Sequence, residues 1–240
     1  MCGRYAILSE EKIYTVAPWV RNAKRVGEPF AALPRYNASP MQKLPVLAVR
    51  DQEVCFQPMQ WWLIPHWSKD GKVLGSTFNA RADTLTKSKL FAPYFKSSRC
   101  LVPADAFYEW QKIRVTGEVR GKEKVIDQKQ PWCIRRKDDE TIMFAGLFSV
   151  WKNPKGEEMP TFTIITTEPN SVMSPIHNRM PVILNEKDYE AWTDRSFHDT
   201  EKLHNLLKPY PATRTDAFRV STYVSNSRND GPECMKPMKK

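Results

Sequence analysis

Cysteine directly follows the initiator methionine, in Met1-Cys2-Gly3-Arg4-Tyr5. Methionine aminopeptidases remove Met1 when the second residue is small. That step would leave Cys2 as a 1,2-aminothiol, with an amine and a thiol on neighbouring carbons. An α-amine titrates near about 7.7–8.0 and a thiol near about 8.5, so both are nucleophilic close to neutrality. One electrophile suits the pair: the amine condenses with an aldehyde to an imine, and the thiol then closes a thiazolidine ring. An N-terminal cysteine can also serve a hydrolase as nucleophile, with its own amine as base. It can equally be an ordinary small buried hydrophobe. Cys2 alone leaves all three open.

Three further stretches carry polar groups in apolar or turn-forming context. Asn79-Ala80-Arg81 puts an amide and a guanidinium on one face of an extended chain. Such a pair can hold a sugar hydroxyl and a phosphate; a turn with a helix cap at Asp83 is the plainer alternative. In Phe107-Tyr108-Glu109-Trp110 a carboxyl group lies among large aromatics on a strand-like segment. Apolar surroundings raise a carboxyl pKa and suit it to acid–base work near neutral pH. Alternation groups Phe107 with Glu109 and Tyr108 with Trp110, without saying which pair faces solvent. His177 and Arg179 repeat the i, i+2 spacing, and His177 is a general acid–base candidate or a loop histidine held for structure. His66 follows a proline in a turn-like stretch, and His198 and His204 fall in charged helical context.

The elements that must position these residues are mostly short strands. LPVLAV, EVCFQPMQWWLI, RCLVP, AFYEWQKIRV, PWCIRR, TIMFAGLFSVW, TFTIITT, PVIL and AFRVSTYV are rich in β-branched and aromatic residues, bounded by Pro, Gly or charge clusters. Helical segments are few. Ser9 starts a short one that stops before Pro18, Asp83 caps another through Leu90, and Asn185 and Thr200 precede two more, the last stopped by Pro209. The pattern predicts an α+β fold with a mostly antiparallel, barrel-like β core and a few peripheral helices. One domain is expected over residues 1–234, with a charged hairpin insertion at about 112–130 that has a mobile tip, and a basic tail at 235–240.

A chain of 240 residues with 41% hydrophobic content reads as globular. No apolar run reaches membrane-spanning length, and the first residues lack the basic and apolar regions of a secretory signal. Five scattered cysteines without a C-x-x-C pair argue against a zinc cluster and against a disulfide framework. Reduced thiols and an intracellular setting are therefore expected. The net charge of +10 favours a polyanionic partner, nucleic acid above all, over an acidic protein surface, and fits a merely soluble basic protein as well.

The four stretches belong to a longer series. With Pro34-Arg35-Tyr36-Asn37-Ala38-Ser39-Pro40, Gln60-Trp61-Trp62-Leu63-Ile64-Pro65, Ile164-Ile165-Thr166-Thr167, His177-Asn178-Arg179-Met180-Pro181 and Gly231-Pro232-Glu233-Cys234, the chain resembles the SRAP family almost end to end. The name stands for SOS response-associated peptidase, and its members are also described as abasic-site processing proteins. The resemblance implies loss of Met1 and capture of abasic sites in single-stranded DNA by the new N-terminal cysteine. A ring-opened abasic deoxyribose exposes an aldehyde at C1′, and the product is a thiazolidine DNA–protein crosslink that shields the lesion. Cys2 would supply amine and thiol, Asn79 would hold the sugar or the N-terminus, and Glu109 would position the amine and move protons. His177 would protonate the sugar ring oxygen. Arg4, Arg81 and Arg179 would meet phosphates, and Pro40 and Trp67 would stack on flanking bases. The resemblance also implies AP lyase and autopeptidase-like activity, no metal or organic cofactor, and the replication machinery as a further partner. A monomer is expected, in the cytoplasm or nucleoid of a bacterium or the nucleus of a eukaryote.

Two positions depart from the family pattern. Trp62 stands where the family usually has Gly, so the neighbouring groove is expected to be narrowed unless the ring points outward. Ala106 also stands where Gly is common, and would be strained if that backbone needed a positive φ. Two other functions compete with crosslinking: a thiol peptidase or amidohydrolase with Cys2 as nucleophile and His177 as base, and a plain single-strand binder in which Cys2 is incidental.

Overall fold

The structure is a computed structural model that describes residues 2–26, 33–50, 52–73, 75–119 and 122–238. The strands in chain order are β1 (Tyr5–Ile7), β2 (Lys24–Arg25), β3 (Arg35–Ala38), β4 (Lys43–Arg50), β5 (Glu53–Trp61), β6 (Asn79–Arg81) and β7 (Arg99–Ala104). They continue with β8 (Ala106–Val119), β9 (Lys122–Arg136), β10 (Ile142–Lys152), β11 (Glu158–Thr167), β12 (Met180–Pro181) and β13 (Thr215–Arg219). The α-helices are short: α1 (Glu10–Val16), α2 (Ala92–Ser97), α3 (Tyr189–Thr193) and α4 (Thr200–Asn205).

Strands β4, β5, β11, β10 and β7 close into a five-stranded barrel. Neighbours are antiparallel except at the closure, where β5 and β11 run parallel through Gln60 opposite Thr161 and Trp61 opposite Phe162. Closure leaves these strands few free edges, and β7 is buried along its whole length. Past the barrel, the C-terminal end of β11 is flanked by β6, parallel to it, and by β12, antiparallel to it. A second, antiparallel sheet in the order β13-β9-β8-β1-β3 packs against the barrel. The charged stretch at 112–130 lies in the long β8–β9 hairpin, whose tip, residues 120–121, is outside the described residues.

Aromatic side chains join the two sheets. Tyr5 of β1 lies 5.1 Å from Trp61 and 6.0 Å from Phe144 between ring centroids, Trp61 stacks on Phe162 at 6.1 Å, and Phe107 of β8 meets Phe144 edge-on at 6.0 Å. All five rings are buried, so each contributes a large apolar area to the core.

The α+β reading and the barrel-like core hold. Ser9 caps α1 as expected, accepting from the Glu11 amide, with Glu10 and Glu11 in the first turn where the helix dipole favours them. Elsewhere the local reading is corrected. Asp83 caps no helix: 82–87 is a 3-10 turn, and the α-helix follows at α2. Asp83 is drawn to Arg81 instead, with both guanidinium and carboxylate paired. Asp199, not Thr200, caps α4. The strand expected to run to Val224 ends at Arg219, because Ser221 turns the chain into a 3-10 segment. Among the described residues no helix is long and apolar enough to cross a membrane.

The barrel wall tolerates little added volume at Gly146. A Cβ there would lie 2.8 Å from Cys100 Sγ, 3.0 Å from Val102 Cγ2 and 3.1 Å from the Thr163 carbonyl. Gly146→Ala is expected to lower the unfolding free energy by about 1–3 kcal/mol, the usual cost of overpacking a core. Urea titration followed by tryptophan fluorescence reads the loss, and an unchanged midpoint would show a barrel looser than described.

Candidate active site

The N-terminal residues are fixed by strand pairing. Tyr5 lies opposite Phe107 and Ala6 opposite Ala106, and the Tyr108 amide donates to the Arg4 carbonyl at 3.0 Å. Continuing that register sets Gly3 across from Glu109, with Cys2 one residue beyond. Cys2 is completely buried within the main core cluster.

Glu109 is 3% exposed. The alternation left open by the sequence is settled by packing on both faces of β8: Phe107 enters the barrel-side core, and Tyr108 enters a second cluster with Cys133 and Cys234. Burial pushes the Glu109 carboxyl up to about 7. Burial, and then the charge of Glu109, push the Cys2 thiol far above its ordinary range.

His177 Nε2 stands 3.9 Å from Glu109 Oε2. Two anchors hold the loop that carries it. Asn170 Oδ1 accepts from the amides of Val172 and Met173, while its Nδ2 donates to the Tyr210 carbonyl and to Thr215. Gln111, one turn of the pleat beyond Glu109 on β8, donates to the Pro175 carbonyl at 3.0 Å. The i, i+2 pairing of His177 with Arg179 differs from the extended face that was expected. The Arg179 amide donates to His177 Nδ1 at 3.1 Å. Nδ1 also lies 3.3 Å from the Arg179 carbonyl, but the amide can only donate, so Nδ1 is the acceptor and Nε2 carries the proton. Burial lowers the His177 pKa, which favours this neutral form.

Asn79 opens β6, where it pairs with Ile164 of β11. Trp61 Nε1 donates to the Phe78 carbonyl at 2.8 Å and fixes the approach. Asn79 Nδ2 donates to the Phe78 and Ile164 carbonyls, and its Oδ1 is buried with no hydrogen-bond partner. An orphan buried acceptor is costly unless something supplies a donor.

Arg81 and Arg179 occupy opposite edges of β11 near Thr166, whose carbonyl accepts from the Arg179 guanidinium. The Arg4 guanidinium is engaged within the protein, donating to Asn37 Oδ1 and to the carbonyls of Val224 and Ser225, with Trp110 alongside. Trp67 is 62% exposed on a turn after β5, and Pro40 is half-buried on the turn between β3 and β4. Trp62 tilts against Phe78, with centroids 5.6 Å apart. Ala106 is unstrained, because the positive-φ non-glycine residues among those described are Met41, Gln52 and Asp139.

Sequence reasoning missed Asn37, Asn170 and Gln111. Asn37 Nδ2 donates to the carbonyls of Val224, Asn226 and Asn229 and ties the C-terminal segment over β3. A signal existed for Asn37, a polar residue inside a strand-like stretch, but none for Gln111, which sits among other polar hairpin residues. The five cysteines are free and buried, and no group of three or more His, Cys, Asp or Glu is arranged to hold a metal ion among the described residues.

The family model for SOS response associated peptidase (SRAP) matches residues 1–227. The chain belongs to the SRAP family. It is 35% identical to the abasic site processing protein YoqW of Bacillus subtilis, over 97% of this chain and 98% of that protein. It is 32% identical to the abasic site processing protein HMCES of Rattus norvegicus, over 99% of this chain and 76% of that protein. A crystal structure of a Bacteroides thetaiotaomicron protein superposes with a TM-score of 0.77 at 25% identity, covering 99% of this chain and all of that one. That structure shares this chain's fold.

The buried carboxyl has a consequence for stability. Glu109 titrates ordinarily at 4.5 and in the folded protein at about 7, so the folded state holds its proton more tightly than the unfolded state. Its destabilising effect is absent below pH 4.5, grows as pH rises, and is complete above about 7. Glu109→Gln is expected to be more stable than wild type at pH 8 by a margin on the order of 3 kcal/mol, shrinking to nothing at pH 4. Denaturant melts at both pH values measure the margin; a pH-independent difference contradicts the burial argument.

Proposed function

We propose that this protein captures abasic sites in single-stranded DNA as a covalent thiazolidine, using Cys2 as an N-terminal aminothiol once Met1 is removed. The observation that supports the reading is the register of β1 on β8, which continued brings Gly3, the neighbour of Cys2, across from Glu109, whose carboxyl burial pushes up to about 7 and which lies 3.9 Å from His177. The names of the relatives, abasic site processing proteins, support the substrate.

The chemistry follows from these groups. The Cys2 amine adds to the C1′ aldehyde, and the carbinolamine loses water to give an imine. The thiol adds across the C=N bond, sulfur to carbon and proton to nitrogen, so aldehyde plus aminothiol gives thiazolidine plus water. Glu109, half-protonated near neutral pH, takes the proton released by the attacking amine and returns it to the departing hydroxyl. A thiol kept protonated by burial enters the ring closure with Glu109 as the nearby base. His177 Nε2–H donates a hydrogen bond to the sugar ring oxygen and so eases the opening in which one proton passes from the C1′ hydroxyl to that oxygen, leaving the aldehyde. The orphan Oδ1 of Asn79 accepts from a sugar hydroxyl or from the Cys2 amine. Arg81 and Arg179 meet flanking phosphates, Arg4 reaches a phosphate from the edge it shares with Trp110, and Trp67 and Pro40 offer faces to adjacent bases.

Cys2→Ala is expected to abolish covalent capture while non-covalent binding to the same strand falls no more than a few-fold. Glu109→Gln is expected to slow capture by about a hundred-fold or more, the usual scale for general acid–base catalysis. Denaturing gels of time courses with abasic single-stranded DNA give both rates. Undiminished crosslinking by Cys2→Ala would place the nucleophile elsewhere, and acyl-substrate cleavage without capture would favour a thiol hydrolase.

A further inference from the structure

The rim of the site carries a charge that the reading above does not use. Arg81 ends β6 and Arg179 precedes β12, so β11 holds them on its two edges. Asp83 lies between them. Arg81 Nε and Nη2 donate to its two carboxylate oxygens at 3.1 and 2.6 Å, while Arg179 Nη2 stands 3.7 Å from Oδ1, an ion pair longer than a hydrogen bond. The two arginines are held unequally. Arg179 is 12% exposed, is anchored on the Thr166 carbonyl, and has a buried Nε with no hydrogen-bond partner. Arg81 is 56% exposed, and both donors that face Asp83 are filled.

A carboxylate in the fork of an arginine takes the place that two phosphate oxygens would take, with nearly the same geometry. We propose that Asp83 is a built-in competitor for DNA phosphate at Arg81 and Arg179, keeping the two guanidiniums paired in the free protein and weakening the binding of any single strand until a phosphate displaces it. This rests on the DNA-binding part of the reading above. The displacement is easy because the Arg81–Asp83 pair is open to solvent, where an ion pair is worth little. Arg81 is therefore the half that swings to the phosphate, and Arg179 is the fixed half. The pairing also holds the Asp83 carboxyl down to about 2, so its charge opposes DNA at every physiological pH.

The test uses a labelled single-stranded oligonucleotide carrying a tetrahydrofuran abasic analogue, which has no aldehyde and gives a reversible complex. Dissociation constants are measured by anisotropy across a salt series for wild type, Asp83→Asn and Asp83→Glu. Asp83→Asn keeps the shape and removes one negative charge. It is expected to bind about three- to ten-fold tighter at low salt, with the log–log salt slope steeper by about 0.7, the increment for one more neutralised phosphate on a single strand. Asp83→Glu keeps the charge and is expected to stay within about two-fold of wild type. Binding by Asp83→Asn that is equal or weaker, an unchanged slope, or an equal gain in Asp83→Glu overturns the competitor role. If wild type binds the strand and Asp83→Asn gains nothing, this inference alone fails. If wild type binds no single strand at all, the proposed function fails and takes this inference with it.

Discussion

The pairing of β1 with β8 is the constraint on which the site depends. Only Tyr5–Ile7 form the strand, yet its register decides what Cys2 meets. A slip of one residue would turn every side chain of β1 to the opposite face. Tyr5 would leave Trp61 and Phe144, and Gly3 would no longer lie across from Glu109. The aromatic contacts therefore do more than fill the core. They lock a short strand whose few hydrogen bonds could not lock themselves, and so they set the geometry at the chain's first residues.

The burial that holds the register also sets the electrostatics. Glu109 rises to about 7, the Cys2 thiol rises, and His177 falls, each mainly because burial disfavours its charged form. The centre of the site is thus close to neutral, while its rim carries Arg81, Asp83 and Arg179 in paired form. The two zones suit different work. A condensation between amine, thiol and aldehyde needs groups that exchange protons easily near pH 7. Recognition of a phosphate backbone needs fixed charge at the edge, where desolvation costs less.

Much of this was legible in the sequence, for physical reasons that differ by residue. The strands that close the barrel announce themselves through β-branched and aromatic runs, and β4, β7, β10 and β11 fall where those runs lie. Glu109 was visible as a carboxyl among aromatics, but alternation could not tell its environment, because β8 is covered on both faces. Asp83 misled: a helix-capping pattern was outweighed by an arginine two residues away whose Nε and Nη2 both donate to its carboxylate. The His177–Arg179 spacing suggested a shared extended face, whereas a backbone amide folds back onto the imidazole. Gln111 and Asn170 could not be found at all. Their roles are long-range hydrogen bonds to carbonyls, and a carbonyl leaves no trace in side-chain pattern.

The most direct test of the central claim is intact mass spectrometry of the purified protein, free and after incubation with single-stranded DNA carrying either a true abasic site or its tetrahydrofuran analogue. The account predicts that the free protein lacks Met1, and that the abasic strand alone adds its full mass less one water. Retention of Met1, an adduct with both strands, or no adduct with either would contradict it, because an aminothiol at Cys2 and an aldehyde at C1′ are both indispensable to the proposed bond.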